Sequence, residues 1–215
     1  MRFVTSIIAA IIAVLLPLTA QADGEKAGDF DYYVLALSWS PTWCALEGEA
    51  RNSPQCDPAK DYGFVLHGLW PQYEDGWPSF CLTTARDPSR SETAAMEDIM
   101  GAPGTAWYQW KKHGRCSGLS PSDFFATART AFERIKRPSV FARMQKDYRL
   151  PASVVEAAFL EVNPSLSRNM ITVTCDQRRI QEVRICLTKD LTPRDCAPDT
   201  RRDCSLSDAL MARIK

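Results

Sequence analysis

Two histidines, His67 and His113, are the only imidazole side chains in this chain of 215 residues and its first candidates for chemistry. Imidazole titrates at about pH 6.5, so one histidine can accept a proton while the other donates one. Lys112 directly precedes His113 and adds a positive charge. Phosphoryl transfer without a metal needs such an acid–base pair, together with a cation that meets the charge developing on phosphorus.

His67 lies within FVLHGLWPQ (64–72), a segment typical of a buried strand. Because alternate residues of a strand share a face, Val65, His67 and Leu69 are predicted to point the same way. A histidine in an apolar strand is often only a structural residue. Taken alone, His67 therefore supports a structural interpretation at least as well as a catalytic one.

His113 lies within WYQWKKHGRC (107–116), which could form a helix. One face of that helix would carry an amide, an ammonium group and an imidazole, on Gln109, Lys112, His113 and Cys116. The opposite face would be apolar packing, formed by Trp107, Trp110 and Gly114. An ordinary amphipathic helix with solvated lysines is the competing interpretation, but it explains less well why His113 sits directly before a glycine and close to a cysteine.

The elements that must position these residues run from strands to helices and back to strands. Strands are predicted at 30–38, 62–69, 170–175 and 180–187. Trp70-Pro71 is expected to end the second strand, and residues 176–179 are expected to form a hairpin turn. Helices are predicted at 91–100, 106–115, 120–135 and 151–161. This order indicates an α+β fold in a single domain.

The N-terminal 22 residues have the composition of a signal peptide. Arg2 gives a small positive region, an apolar run follows, and Ala20-Gln21-Ala22 fits a cleavage site. The run is short for a bilayer-spanning helix, and no second run follows. We expect cleavage near Ala22, a catalytic domain at 23–215 that does not engage the membrane, and export to the periplasm or the medium.

Eight cysteines follow the signal segment, at positions 44, 56, 81, 116, 175, 186, 196 and 204. An even number in an exported chain predicts disulfides, whose pairing the spacing leaves open. A metal site is the weaker alternative, because no C-x-x-C pair occurs and only two histidines are present. Acidic and basic residues balance at 26 each, so a polyanion would have to be gripped locally.

The two histidine segments closely resemble those of the ribonuclease T2 family, FVLHGLWPQ as the first and WYQWKKHGRC as the second. The strand at 30–44 and the C-terminal cysteines extend the resemblance across nearly all of the mature chain. The resemblance implies an α+β fold in which an antiparallel sheet packs with several helices. It also implies endonucleolytic cleavage of single-stranded RNA through a 2′,3′-cyclic phosphate, with no metal or other cofactor. We expect RNA to be the partner of a monomer.

The resemblance also implies roles for individual residues. His113 would remove the 2′-hydroxyl proton, His67 would protonate the 5′-oxygen leaving group, and Lys112 would stabilise the transition state. Trp70 is where the family places a base-stacking aromatic, although simple core packing explains it equally well. The implied disulfides are Cys44–Cys56, Cys81–Cys116, Cys175–Cys204 and Cys186–Cys196. The second would pin the helix of His113 beside the strand of His67.

Two positions depart from the family pattern, in which the second segment usually begins His-Glu-Trp. Tyr108 replaces a histidine that helps to hold phosphate, and a phenol brings no positive charge. Gln109 replaces a carboxylate, and an amide can donate to a phosphate oxygen but cannot accept a proton. Without that anion, the pKa of His113 should be lower. Arg115 adds a cation, but at helical spacing it lies away from Gln109 and His113.

Three hypotheses follow. An active exported endoribonuclease is favoured, because both proton-transfer residues remain. A weakly active or inactive secreted RNA-binding homologue is the alternative suggested by Tyr108 and Gln109. A purely structural disulfide scaffold would make the paired histidine motifs a coincidence.

Overall fold

The computed structural model describes residues 25–215. The predicted signal peptide and its cleavage site lie outside the described residues. The six strands of this part of the chain are β1 (Tyr32–Trp39), β2 (Phe64–Gln72), β3 (Tyr148–Leu150), β4 (Ile171–Asp176), β5 (Arg179–Leu187) and β6 (Ala209–Met211). Its α-helices are α1 (Ser40–Trp43), α2 (Arg90–Ala94), α3 (Glu97–Met100), α4 (Pro103–Lys112), α5 (Pro121–Arg134), α6 (Ser139–Ala142) and α7 (Ala152–Val162). Over this same range, no helix is long and apolar enough to span a bilayer.

The strands form one six-stranded sheet in the order β2-β1-β5-β6-β3, with β4 paired to β5 off this path. The pairs β1–β2, β1–β5, β4–β5 and β3–β6 are antiparallel, and a single bridge between β5 and β6 is parallel. The predicted α+β single domain is therefore confirmed, with one parallel contact added to its antiparallel sheet.

Strand β1 lies between β2 and β5 in this sheet, and every one of its residues is buried. Its odd-numbered residues from Tyr33 to Trp39 enter the main core. The buried apolar side chains of α5, which include Phe124, Ala128 and Phe132, form a stripe along one face of the helix and enter the same core. The even-numbered residues of β1 face the other side of the sheet, where Tyr32 and Val34 form a smaller cluster. Trp70, one of the candidate site residues, packs against this smaller cluster.

The expected end of β2 at Trp70-Pro71 was wrong, because the strand continues to Gln72. Pro71 pairs with Tyr33 in register. A proline cannot donate a ladder hydrogen bond, so it is tolerated only where no outer partner needs one. Since β2 is the edge strand of the sheet, it meets that condition.

The helix expected at 91–100 was also wrong as a single element, because it is divided into α2 and α3. The predicted hairpin between β4 and β5 is confirmed. Its turn residues Gln177 and Arg178 both have positive φ, 42° and 61°, as a tight two-residue connection of antiparallel strands requires.

Four disulfides join all eight cysteines in the implied pairs: Cys44–Cys56, Cys81–Cys116, Cys175–Cys204 and Cys186–Cys196. The Cys81–Cys116 bridge ties a loop segment to the 3-10 turn that follows α4. The backbone N–H of Phe80 also donates to the carbonyl of Lys112, at 2.8 Å. Together these links hold the C-terminal end of α4 in place.

Candidate active site

His67 occupies a β-bulge in β2. Leu37 pairs with Leu66 and Ala36 pairs with Gly68, so His67 is the extra residue between them. A bulge re-aims side chains, because it interrupts the alternation of the strand. The prediction that Val65, His67 and Leu69 share one face was therefore wrong. Leu69 enters the main core, whereas Val65 and His67 line a cleft on the opposite side.

A buried carboxylate contacts His67 from β5. Oε1 of Glu182 forms a hydrogen bond with Nδ1 of His67. The other oxygen, Oε2, accepts a hydrogen bond of 2.9 Å from Nε of Arg184. Glu182 is only 2% exposed. Burial alone would raise its pKa, but the contacts with His67 and Arg184 outweigh burial and lower that pKa to about 2.

This contact defines which nitrogen of His67 is available for chemistry. With Nδ1 held by the carboxylate, Nε2 is the ring nitrogen left for proton transfer. Sequence reasoning missed Glu182 and Arg184, which lie 115 and 117 positions away from His67 in the chain. One signal was available, namely that Glu182 and Arg184 alternate with the apolar residues Val183 and Ile185 in the buried part of β5. Buried charges are retained only when they are paired.

His113 lies at the C-terminal end of α4, where its backbone N–H donates to the backbone carbonyl of Gln109 at 2.9 Å. The residue is 6% exposed. Burial lowers its pKa to about 3, with smaller contributions from the charges of Lys112 and His67. His113 is therefore neutral from mildly acid pH upward. A neutral imidazole can accept a proton.

Trp70 lies between the two histidines. Its ring stacks on that of His113 with 5.2 Å between centroids and an interplanar angle of 27°. It meets the ring of His67 edge-on, also at 5.2 Å. The guanidinium of Arg184 lies 5.3 Å from the same indole. Trp70 is thus a spacer that sets the relative placement of both imidazoles.

Gln109 anchors Trp70 from α4. Its Oε1 accepts a hydrogen bond of 2.7 Å from Nε1 of Trp70, and the side chain is almost fully buried. Gly68 makes this bond possible, because a Cβ at that position would overlap both Oε1 of Gln109 and the indole nitrogen. The departure from the family pattern at position 109 is therefore an integral part of the packing between helix and strand.

Two clefts meet at these residues. A cleft of about 350 Å³ is lined by Trp70, Lys112 and His113, and a cleft of about 630 Å³ is lined by Glu182. The side chains common to both clefts are those of His67, Tyr108 and Gln109. All of the predicted site residues thus converge on one region of the molecule.

Tyr108 and Trp107 lie on the outer side of α4. Tyr108 is 52% exposed, which places it at the rim between the two clefts. Trp107 is 43% exposed, so its predicted place on the apolar face was wrong. Trp110 and Gly114 do face the core, where a Cβ on Gly114 would overlap Trp110 and Phe124. A helix packed over one side of a sheet edge leaves its outer flank in solvent.

The fold and the site define a class: a disulfide-bonded α+β protein with two histidines and a lysine on one side of its sheet. A family model described as the ribonuclease T2 family matches residues 30–196. A ribonuclease of Aeromonas hydrophila is 39% identical over 155 residues, which cover 71% of this chain and 69% of that protein. The chain belongs to the ribonuclease T2 family.

Solved structures share this fold. An RNase-related protein from Calystegia sepium matches with a TM-score of 0.64 at 22% identity, covering 87% of this chain and 98% of that one. RNase NT in complex with 5′-AMP matches with a TM-score of 0.62 at 23% identity, covering 84% of this chain and 97% of that one.

Proposed function

We propose that this T2-type endoribonuclease cleaves single-stranded RNA by transphosphorylation through a 2′,3′-cyclic phosphate, with no metal ion or cofactor. One observation carries the proposal. Trp70 spaces two imidazoles of different character, a buried neutral one on His113 and one on His67 that is held by an anionic carboxylate.

In the proposed reaction, His113 takes the proton from the 2′-hydroxyl. We assign this step to Nε2, because Nδ1 is buried and finds no hydrogen-bond partner among the described residues. The 2′-oxygen then attacks phosphorus and the bond from phosphorus to the 5′-oxygen breaks. His67 donates its Nε2 proton to that departing oxygen. The products are a 2′,3′-cyclic phosphate and a new 5′-hydroxyl end.

Lys112 and Gln109 supply the remaining stabilisation in this scheme. Lys112 lines the same cleft as His113, and within residues 25–215 its ammonium group makes no ion pair. It is therefore available for the charge that develops on phosphorus. The amide nitrogen of Gln109 can donate to a phosphate oxygen, because only Oε1 is engaged by Trp70.

Trp70 and Tyr108 are assigned to substrate binding. Trp70 lines the smaller cleft and can stack on a nucleobase with the part of its ring that His113 leaves open. Stacking on an aromatic side chain contributes about 1–3 kcal/mol per base. The hydroxyl of Tyr108 can donate to phosphate from the rim.

We further propose that the protein acts as an exported monomer in the periplasm or the medium. Four disulfides support this location, because such bonds form and persist in oxidising compartments. The proposed catalytic domain, 23–215, extends from the predicted signal cleavage site to the end of the chain.

The alternative is a secreted RNA-binding homologue with little or no catalysis. It rests on Tyr108, whose phenol brings no positive charge, and on Gln109, whose amide cannot replace a carboxylate in proton transfer. It would keep both clefts and their binding residues.

Incubation of a 12-nucleotide RNA with purified protein in excess chelator, across acid to neutral pH, tests the proposal. We expect products that end in 2′,3′-cyclic phosphate, seen by mass spectrometry, and no cleavage of the DNA of the same sequence. RNA that stays intact at every pH while still binding would establish the RNA-binding homologue instead.

A further inference from the structure

The outer flank of α4 carries an unusual order of side chains. At about 100° per residue, the order around the helix is Trp107, Lys111, Tyr108, Lys112. Aromatic and basic side chains therefore alternate over an arc of about 140°. The next positions around the same helix are Gln109 and, at its end, His113. The arc is continuous with the catalytic cleft.

The members of this arc are accessible. Trp107 is 43% exposed and Tyr108 is 52% exposed. The ammonium group of Lys111 lies 5.9 Å from the ring centroid of Trp107. The same group is 3.1 Å from Oδ2 of Asp87. An exposed ion pair of this kind contributes little stability, so Lys111 can exchange the carboxylate for a phosphate.

Trp107 and Tyr108 leave their rings open to a ligand on the solvent side of α4. Any of the four bases can stack on an aromatic ring, and cations that lie between the rings can bind the phosphates that join the bases. The arc matches both needs of a single strand of RNA, because its aromatic and basic members alternate as bases and phosphates do. Because the arc is continuous with the catalytic cleft, the part of the strand that would lie on it is the part that extends out of the cleft.

We propose that Trp107 and Lys111 form a binding surface for RNA nucleotides beyond the two that flank the scissile bond. This inference rests on the proposed function, since it extends the substrate strand from the catalytic cleft across the rim at Tyr108. Oligonucleotides then bind better than dinucleotides, and they do so with little dependence on sequence.

Binding is measured by fluorescence anisotropy with a labelled 12-nucleotide RNA in which every 2′-hydroxyl is methylated. This probe cannot be cleaved, so the measurement does not depend on activity. We expect Trp107→Ala to raise the Kd about tenfold, in line with the loss of one stacked base. We expect Lys111→Ala to lower the slope of log K against log salt by about 0.7, the value for one phosphate contact on a single strand.

A matched control lies elsewhere on the surface. Lys146 lies 5.5 Å from the ring centroid of Tyr148, a lysine–aromatic pair of similar geometry that is not on α4. Tyr148→Ala should leave the Kd unchanged. If Tyr148→Ala lost as much affinity as Trp107→Ala, the proposal would be overturned, because any exposed aromatic side chain would then contribute equally to RNA binding.

Cleavage of a dinucleotide and of an unmodified 12-nucleotide RNA gives the second readout. Trp107→Ala should lower kcat/KM about tenfold on the longer substrate and leave the dinucleotide unaffected, which also shows that the variant is folded. Equal losses on both substrates would overturn the proposed binding surface but would not contradict the proposed endoribonuclease activity. If neither substrate is cleaved by the parent protein, the proposed function fails, and the anisotropy measurement alone decides the surface.

Discussion

The two histidines stand in opposite surroundings. The side chain of His67 is 40% exposed and leaves a strand at a bulge, with Nδ1 against a buried carboxylate. His113 is 6% exposed at the end of a helix, with an aromatic ring on one side and a lysine next to it. In the proposed reaction these different environments suit different roles, because burial and neighbouring charge affect which form of an imidazole is favoured.

The two surroundings also differ in where a carboxylate lies. The family pattern has one beside the second histidine, and here that position is Gln109. A carboxylate is present instead on β5, where Glu182 contacts the first histidine. The site therefore retains an anion, but on the side of the proposed acid and not of the proposed base.

Replacing His113 should have the largest effect. With His113→Ala the 2′-hydroxyl loses its base, and we expect kcat to fall about 10³-fold, within the usual range for a general base. The measurement is the rate of cyclic-phosphate release at saturating RNA. Tyr148 lines neither cleft, so Tyr148→Ala serves as the control and should keep the parent rate. A His113 variant with more than a tenth of the parent rate would rule out this residue as the base.

Glu182→Gln should be next in size, with kcat about 10²-fold lower and KM nearly unchanged. The amide keeps the shape of the side chain, but it holds His67 without a negative charge. The low-pH limb of the kcat/KM profile should stay in place, because His113 sets it. Glu156→Gln is the matched control, since Glu156 is also buried and paired with an arginine. Equal losses in both variants would indicate a general folding defect.

The same carboxylate should also affect stability in acid. Because the folded pKa of Glu182 is lowered to about 2 from an ordinary 4.5, its contribution is complete above about pH 4.5 and is lost as the pH falls toward 2. The Tm of the parent protein should therefore exceed that of Glu182→Gln at pH 5, and the gap should narrow steadily toward pH 2. A gap that stays constant over this interval would contradict the lowered pKa.

Gly68→Ala should break the hydrogen bond that links Trp70 on β2 to Gln109 on α4. The added Cβ overlaps Oε1 of Gln109 and the indole nitrogen of Trp70, so their hydrogen bond cannot form as it stands. Leaving such buried groups unpaired costs about 1–3 kcal/mol. We expect a lower Tm and a kcat reduced about tenfold, measured by calorimetry and by the RNA assay. Gly104→Ala is the control, because a Cβ at that position meets nothing within 4 Å.

Much of this arrangement could be read from the sequence, but only where the information was local. The strands β1, β2, β4 and β5 follow from apolar runs, and the stripe of α5 follows from its spacing. The pairing of the cysteines came from resemblance, because eight cysteines alone leave about 105 possibilities. The two histidine motifs predicted which segments form the candidate site.

What could not be predicted depends on contacts between distant segments. The bulge at His67 exists only relative to the register of β1, so the sequence of β2 alone suggests simple alternation. The same holds for Pro71, which is tolerated because no strand within residues 25–215 pairs beyond β2. Glu182 reaches His67 across β1, and that neighbourhood is set by the order of the strands.

Gln109→Glu should produce the smallest change in rate. It directly tests whether the different surroundings of the two histidines determine the pH profile. It restores an anion beside His113, and an anion favours the charged form of an imidazole. The pKa of His113, which burial has lowered to about 3, should therefore rise. Because the base works only when neutral, the low-pH limb of kcat/KM must then move to higher pH. Gln109→Met, which adds no charge, controls for the lost bond to Trp70 and should leave that limb in place. If the limb does not move in Gln109→Glu either, then the environment of His113 is set by burial alone, and the carboxylate missing from α4 has no part in the acidity of this site.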